Sequence, residues 1–230
     1  MQEHEYKVLD QGFVRLVDFM GGDYAVVQSA RVSYGKGITH DERDKKLLFF
    51  LLQNGHETPF EHSVFKFHVK CPLFVARQWF RHRIASYNEM SGRYTKMKEE
   101  FCLPERLRSQ TAANYKYIDI PEELSSELLG KIEKHYQKAF ELYQELLNAN
   151  VAKEHARIVL PLALYTQFYW SINCRALMNF LRLRMDEHAQ YEIREYANCI
   201  ADLFKLKMPW THEAFQRYVI KNENWDQNES

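Results

Sequence analysis

Cysteine is scarce in this 230-residue sequence, and the four that occur lie far apart: Cys71, Cys102, Cys174 and Cys199. No two of them have the C-x-x-C spacing that is typical of a thiolate zinc site or a redox pair. Their separation also argues against the dense disulfide framework of a small secreted domain. We therefore expect a protein of the reducing cytoplasm that has no thiolate metal site.

The sequence also lacks an excess of charge of either sign, because 31 Lys and Arg residues balance 31 Asp and Glu residues. Without an overall basic field, a chain is poorly suited to non-specific binding of nucleic acid or of an anionic membrane surface. No apolar run approaches the length of a membrane span, and the N-terminal MQEHEYKVLDQG lacks the order of a signal peptide. We expect a soluble cytoplasmic protein whose partners include neither membranes nor nucleic acids.

Internal repeats and low-complexity linkers are missing as well, and only residues 222–230 have the polar composition of a frayed end. A hydrophobic content of 46% and an aromatic content of 14% are enough to build a sizeable core. The prediction is one domain over residues 1–221, followed by a polar tail over 222–230.

Three segments alternate apolar and polar residues with the period of a strand: 12–20, 61–71 and 162–173. Apolar residues recur at helical spacing elsewhere, and in the long helix this stripe runs from Leu124 to Leu146. Two predicted helices begin at the expected N-caps Asp23 and Asp41. The other predicted helices span 72–83, 121–148, a short segment at 154–157, 175–185, 188–207 and a last segment from Pro209. This pattern predicts an α+β fold with a small, mainly antiparallel sheet surrounded by helices.

Charged residues are concentrated at 81–94, where the sequence reads RHRIASYNEMSGRY. Arginine presents a planar fork of donors that suits phosphate and carboxylate, so this segment could form an oxyanion or nucleotide site. The plainer interpretation is a solvated basic helix end, since clusters of charge are usually surface features. Aromatic residues interleave with the arginines, and Asn88, Glu89, Ser91 and Gly92 add acceptors and a flexible backbone. That mixture favours a site that reads a base as well as a phosphate.

The spacing R-H-R, then seven residues, then Ser91, resembles the signature of the flavin-dependent thymidylate synthases. Further segments resemble that family in the same order: GHETPFEH at 55–62, ARQWF at 76–80, RIVLP at 157–161, and NFL at 179–181 with Arg184 and HAQ at 188–190. Family-like segments therefore cover most of residues 12–215. We recognise no such segment in 99–117 or in the polar tail.

The resemblance implies reductive methylation of dUMP to dTMP. FAD would supply the hydride after its reduction by NADPH, methylenetetrahydrofolate would supply the carbon, and tetrahydrofolate would be released. The resemblance also implies a homotetramer that binds FAD and dUMP in sites shared between subunits. The sequence has no G-x-G-x-x-G motif after a strand, so a Rossmann-type site for FAD or NADPH is not supported. Side-chain arginines would then bind the phosphates of FAD.

Site residues are implied position by position. The FAD contacts would be Ser33, Thr58, Arg81, His82, Arg83, Glu89, Asn173, Arg175 and Asn179. The substrate contacts would be Gln78, Trp79, Phe80, Arg81, Glu89, Met90, Ser91, Gly92, Arg93, Arg157 and Arg184. The candidate catalytic residues are Arg184, which would favour ionisation of the uracil, and Ser91, which would position dUMP. Helical spacing agrees with two of these groupings, because Gln78 and Arg81 are i,i+3 and Arg175 and Asn179 are i,i+4.

Two other classes of protein are alternatives to this interpretation. A metal-dependent hydrolase could use His56, Glu57, Glu61 and His62 with His68 and His82. However, Pro59 interrupts the segment, and His56 and His62 are not spaced i,i+4 on a helix. We therefore predict no metal. A nucleic-acid-binding module built on the arginines is disfavoured by the balanced charge.

The cysteines bear on a third alternative, a thymidylate synthase that activates the uracil with a thiol. A catalytic thiol needs a pKa lowered by a helix start or by nearby cations. Only Cys174, which lies at a predicted helix start beside Arg175, offers such an environment in the sequence.

Overall fold

The computed structural model describes residues 5–35, 37–110 and 117–221. Its centre is a five-stranded sheet in the order β1-β2-β3-β7-β4, in which every neighbouring pair is antiparallel. A separate two-stranded hairpin is formed by β5 and β6. The strands are β1 Glu5–Val8, β2 Gly12–Met20, β3 Val64–Pro72, β4 Ser86–Glu89, β5 Arg108–Gln110, β6 Tyr117–Asp119 and β7 Tyr165–Asn173.

The helices surround the sheet, which confirms the predicted α+β class. They are α1 Asp23–Arg31, α2 Asp41–Gln53, α3 Leu73–Trp79, α4 Glu122–Asn148, α5 Lys153–Ala156, α6 Cys174–Arg184, α7 Tyr191–Lys207 and α8 Pro209–Phe215. Short 3-10 turns occupy Val32–Tyr34, Thr58–His62 and Arg157–Val159, and a π-turn occupies Gln216–Ile220. No helix in the described ranges is long and apolar enough to cross a membrane.

The central strands have the buried face that their alternation predicts. In β3, Phe65 and Phe67 are buried, and each lies opposite a buried residue of β7: Ile172 and Trp170, respectively. Helices α6 and α7 cover this face, and the predicted inward stripe of α7, from Ile193 to Phe204, is buried. Burial of aromatic and aliphatic side chains on one sheet face is the main stabilising contribution of such a layer.

Helix α4 confirms the long helix predicted near 121–148, but its first turn faces differently from the prediction. Towards its C-terminal half, Phe140 and Tyr143 are buried in a second, smaller core. In the first turn, Leu124 is 45% exposed and Ser125 is buried instead. The reason is a hydrogen bond, because the hydroxyl of Ser125 accepts from the backbone N–H of Leu107 at 3.0 Å. Turning Ser125 inward turns Leu124 towards solvent.

Both predicted N-caps are wrong. Asp23 is the first residue of α1, and its carboxylate instead accepts from the backbone N–H groups of Trp210 and Thr211 at 2.9 and 3.0 Å. Those two residues are in the first turn of α8, whose N–H groups have no partner within the helix. Asp41 is likewise the first residue of α2, and it accepts from the hydroxyl of Tyr24 at 2.7 Å.

Two predicted helix boundaries also differ from the structure. Helix α3 ends at Trp79 rather than near Arg83. Helix α7 begins at Tyr191 rather than at His188, because Asp186 accepts from the backbone N–H of His188 and forms a turn there. The predicted tail over 222–230 lies outside the described residues.

Candidate active site

The arginine-rich segment leaves helix α3 and runs as a loop into strand β4. The hydroxyl of Tyr87 fixes this loop by donating to the backbone carbonyls of Trp79 and His82 at 3.2 and 2.8 Å. These are carbonyls at and just past the helix end, where intrahelical donors are lacking. Arg81 and Arg83, by contrast, are exposed. Tyr87 therefore fixes the loop, while the cationic side chains of Arg81 and Arg83 remain accessible to a ligand.

Trp79 does not have the position that a substrate contact requires. It is fully buried and packs against Phe168, Trp170 and Phe180. The structure therefore corrects this part of the prediction, since the indole supports the loop from the core. Phe80, which is partly buried, packs against Tyr87 and Phe168.

A cavity of about 830 Å³ lies between this loop and helix α6, and we call it the α6 cavity. It contains six of the predicted FAD contacts: Arg81, His82, Arg83, Asn173, Arg175 and Asn179. Its apolar lining is Leu52, Ile84, Ile172, Ala176, Met178, Leu183 and Val219. Cations and amides beside an apolar wall are the composition expected of a cofactor site.

One face of α6 supplies much of the polar lining. Arg175, Asn179 and Arg182 are spaced i, i+4 and i+7, so they lie along one side of the helix. Asn173 is the N-cap of this helix, and its Oδ1 accepts from the backbone N–H of Ala176 at 2.9 Å. Arg182 was missed by the sequence prediction, although the same spacing extends to it.

Arg175 is held at the mouth of the cavity by two carboxylates that the sequence analysis did not assign to the site. Its Nε donates to Glu57 at 2.9 Å and its Nη1 donates to Glu61 at 2.6 Å. These hydrogen bonds, that to Glu61 first, raise the pKa of Arg175. All three side chains are nearly half exposed, so the ion pairs are weak and a ligand anion can compete for the guanidinium.

Arg184, at the end of α6, also lines the cavity and reaches across to the arginine-rich loop. Its Nε donates to Nε2 of His82 at 2.9 Å, and its Nη2 donates to the backbone carbonyl of Gln78 at 3.4 Å. The side-chain amide of Gln78 in turn bonds that of Gln190. Burial, and secondarily the charge of Arg184, lowers the pKa of His82 from 6.5 to about 4. His82 is therefore neutral at physiological pH.

The lowered pKa of His82 predicts a stability change with pH. Between about pH 4 and 6.5 the unfolded protein binds more protons at this site than the folded protein, so the stabilising contribution is present above pH 6.5 and lost as the pH falls. We expect the Tm difference between pH 7.5 and pH 5 to be smaller in His82→Gln than in the wild type. His68 and His212, whose pKa values are also lowered, affect both proteins alike. Equal differences by thermal unfolding would contradict the prediction.

Four predicted substrate contacts, Ser91, Gly92, Arg93 and Arg157, lie together at another place. With Glu154, which bonds Arg93, they form a group that we call the Arg157 cluster. A Cβ on Gly92 would lie 3.1 Å from Cδ of Arg157, so a side chain at position 92 would require the arginine to shift by a few tenths of an ångström. Arg93 Nε donates to Glu154 at 3.0 Å, and its backbone N–H donates to the hydroxyl of Ser91 at 3.3 Å.

Not every predicted FAD contact lies at the α6 cavity. Among the described residues that line it, Ser33, Thr58 and Glu89 are absent. Glu89 accepts instead from the hydroxyl of Thr166 at 2.7 Å. Of the substrate residues, Arg81 and Arg184 line the cavity, whereas Met90 and the Arg157 cluster do not.

A second cavity of about 1010 Å³ lies between the β5–β6 hairpin and the start of α7, and contains none of the predicted site residues within the described ranges. Sequence reasoning did not place the segment that forms the hairpin. In the part of the chain that the structure describes, no three His, Cys, Asp or Glu side chains are grouped as metal ligands.

The chain is similar to known proteins both in sequence and in fold. The sequence model of a protein family described as "Thymidylate synthase complementing protein" matches residues 15–210. The chain belongs to this family. The resemblance seen in the R-H-R segment and its companions is thereby confirmed.

Individual members of the thymidylate synthase complementing protein family match over nearly the whole chain. A protein of Thermosipho africanus named "Flavin-dependent thymidylate synthase" is 57% identical over 221 residues, covering 95% of this chain and 97% of that protein. One of the same name from Thermus thermophilus is 50% identical over 214 residues, covering 93% and 79%.

A solved structure extends the comparison to the fold. The UMP/dUMP methylase PolB from Streptomyces cacaoi, bound with 5-Br dUMP, superposes with a TM-score of 0.85 at 34% sequence identity. The match covers 92% of this chain and 97% of PolB.

Proposed function

We propose that this protein is a flavin-dependent thymidylate synthase that converts dUMP to dTMP by reductive methylation. The carbon comes from methylenetetrahydrofolate, the hydride from FAD that NADPH has reduced, and tetrahydrofolate is released. The observation that carries the proposal is the α6 cavity, in which six of the nine predicted flavin residues and Arg184 line one space. The named relatives and the dUMP-type ligand of PolB support the substrate assignment.

The residues of the α6 cavity fit FAD. Arg81, Arg83 and Arg175 are exposed cations that can hold the diphosphate, and the amides of Asn173 and Asn179 add neutral donors and acceptors. The apolar wall suits the isoalloxazine ring. When bound, FAD supplies hydride transfer, and the protein's part is to hold and orient the reactants.

The Arg157 cluster fits the phosphate and the sugar of dUMP. Arg93 and Arg157 are exposed cations, and Ser91 adds a hydroxyl. The ion pair between Arg93 and Glu154 is about half exposed on both sides, so a dianionic phosphate can replace the carboxylate. Arg184 and Gln78 remain for the uracil, where a guanidinium that does not lose its proton stabilises negative charge as N3 ionises.

The separation of the predicted contacts into two places supports a shared site. Ser33, Thr58, Glu89 and the Arg157 cluster do not line the α6 cavity of the same chain. In a homotetramer these residues would complete the α6 cavity of a neighbouring subunit. We propose this assembly, with NADPH and the folate as further small-molecule partners and the cytoplasm as the location.

The cysteines do not have the environment of a catalytic thiol. Cys174, the one candidate from the sequence, is fully buried, and burial raises its pKa well above the ordinary value. Burial likewise raises the pKa of Cys71, that of Cys102 to about 12 and that of Cys199 to about 11. A nucleophilic thiol requires the opposite shift.

The test is to assay the purified protein, supplied with FAD, for conversion of dUMP to dTMP with NADPH and methylenetetrahydrofolate. We expect a flavin absorption spectrum and dTMP formation that depends on FAD. A variant with all four cysteines replaced by Ser or Ala should still form dTMP. Absence of flavin binding, or complete loss of activity traced to one cysteine in folded, flavin-loaded protein, would refute the proposal.

A further inference from the structure

Arg184 is held by two acceptors, and the stronger of them is a side chain. The bond to Nε2 of His82 is 2.9 Å long, whereas the bond to the carbonyl of Gln78 is 3.4 Å, near the limit for a hydrogen bond. His82 also packs edge-on against Phe180, one turn before Arg184 on α6, with ring centroids 4.9 Å apart. The imidazole is therefore fixed by packing while it holds the guanidinium.

The hydrogen bond requires one protonation state of His82. An imidazole nitrogen that accepts from Arg184 has a free lone pair, so Nε2 has no proton and the ring hydrogen is on Nδ1. A protonated ring could not accept, and it would add a third positive charge beside Arg81 and Arg184. The proximity of those two arginines is evident from the pKa of Arg184, which burial and then the charge of Arg81 lower.

We propose that His82 is a positioning residue that orients the guanidinium of Arg184 towards dUMP through its Nε2 lone pair. This role is additional to the predicted flavin contact of His82, and it rests on the proposed function. An arginine side chain has several rotatable bonds, so loss of its main acceptor lets the guanidinium leave the orientation used in the transition state. A displacement of about 1 Å can cost on the order of 100-fold in rate.

The first arm of the test compares substitutions at His82. Gln retains an acceptor oxygen on a side chain long enough to approach the Nε2 position, whereas Leu has no acceptor. At FAD concentrations at least tenfold above each variant's Kd, we expect His82→Leu to lower kcat for dTMP formation by about 10- to 100-fold. His82→Gln should recover a large part of that loss. His68→Leu is the matched control, because His68 is also half-buried and bonded to one side chain, Gln167, on the sheet.

The second arm is a double-mutant cycle with Arg184→Ala. If His82 acts through Arg184, the double variant His82→Leu/Arg184→Ala should have the kcat of Arg184→Ala alone. A role in fold or in flavin contact alone would lower kcat further by the full factor that His82→Leu causes in the wild type.

Three results would overturn the proposal: independent factors in the cycle, equal kcat for the Gln and Leu variants, or a loss of turnover that weakened FAD binding explains completely. Failure of the wild-type protein to form dTMP would instead refute the proposed function. The two failures are thus distinguishable, because the cycle is interpreted only in protein that binds FAD and turns over dUMP.

Discussion

Arg184→Ala should lose nearly all dTMP formation while the protein keeps its fold and its flavin. The guanidinium lines the α6 cavity at the end of α6 and bonds His82 and Gln78, neither of which belongs to the central sheet. Its removal deletes a positive charge that stabilises the transition state most strongly as the uracil becomes an anion. Removal of one such electrostatic contact typically lowers kcat by about 10²- to 10³-fold. We expect a loss of that size.

The measurement is kcat and kcat/KM for dUMP at saturating FAD, together with the flavin spectrum and the Tm. Arg184→Lys should recover little, because an ammonium keeps the charge but cannot bond His82 and the uracil in the same fork. Arg194→Ala is the matched control, since Arg194 is a partly buried arginine that donates to a backbone carbonyl, that of Glu187, outside the α6 cavity. Near-normal turnover by folded Arg184→Ala would show that the assigned role is wrong.

Long periodic segments were predictable from the sequence, and short or locally determined ones were not. Strand β7 and helices α4 and α7 have enough residues for a period to be counted, and the structure confirms all three. Strands β1, β4, β5 and β6 have four residues or fewer and depend on neighbours for their pairing. A period of two cannot be recognised over so few positions.

The two predicted N-caps failed for a different reason, because an Asp beside a helix start can accept from any donor within reach, either a backbone N–H or a hydroxyl. Asp23 accepts from α8, 187 residues further along the chain, because folding brings that helix start against α1. Local sequence contains no information about such a partner.

In the candidate site too, features set by local spacing were predictable, and features set by distant contacts were not. The spacing of Arg175 and Asn179 on one helix is local, and it correctly predicts that both line one cavity. The bond between His82 and Arg184 joins positions 102 residues apart and could not be inferred from either segment. Trp79 was misplaced because the position of a tryptophan next to arginines depends on which face of α3 meets the core.

Asp44→Asn should produce a large loss of stability for a conservative substitution at a single charged side chain. Asp44 is 0% exposed, and its carboxylate bonds Arg31 at 2.5 Å and the hydroxyl of Thr39 at 2.8 Å. Arg31 is also buried, and it donates to the carbonyl of Gly37 and to Thr39. These bonds join the end of α1 to the start of α2.

An amide at position 44 keeps the volume but leaves the charge of Arg31 buried without a counter-ion. Breaking a buried pair in this way costs about 3–5 kcal/mol, which corresponds to a Tm decrease on the order of 10 °C for a domain of this size. Asp41→Asn is the control on the same helix, because Asp41 is exposed and bonds only the hydroxyl of Tyr24 among the described contacts. It should change the free energy of unfolding by about 0.5 kcal/mol or less. Thermal and urea unfolding measure both, and equal changes in the two variants would contradict the prediction. The expected asymmetry follows from the burial of Asp44 with its counter-ion Arg31, since both substitutions replace an aspartate in the first turn of α2 by the same amide.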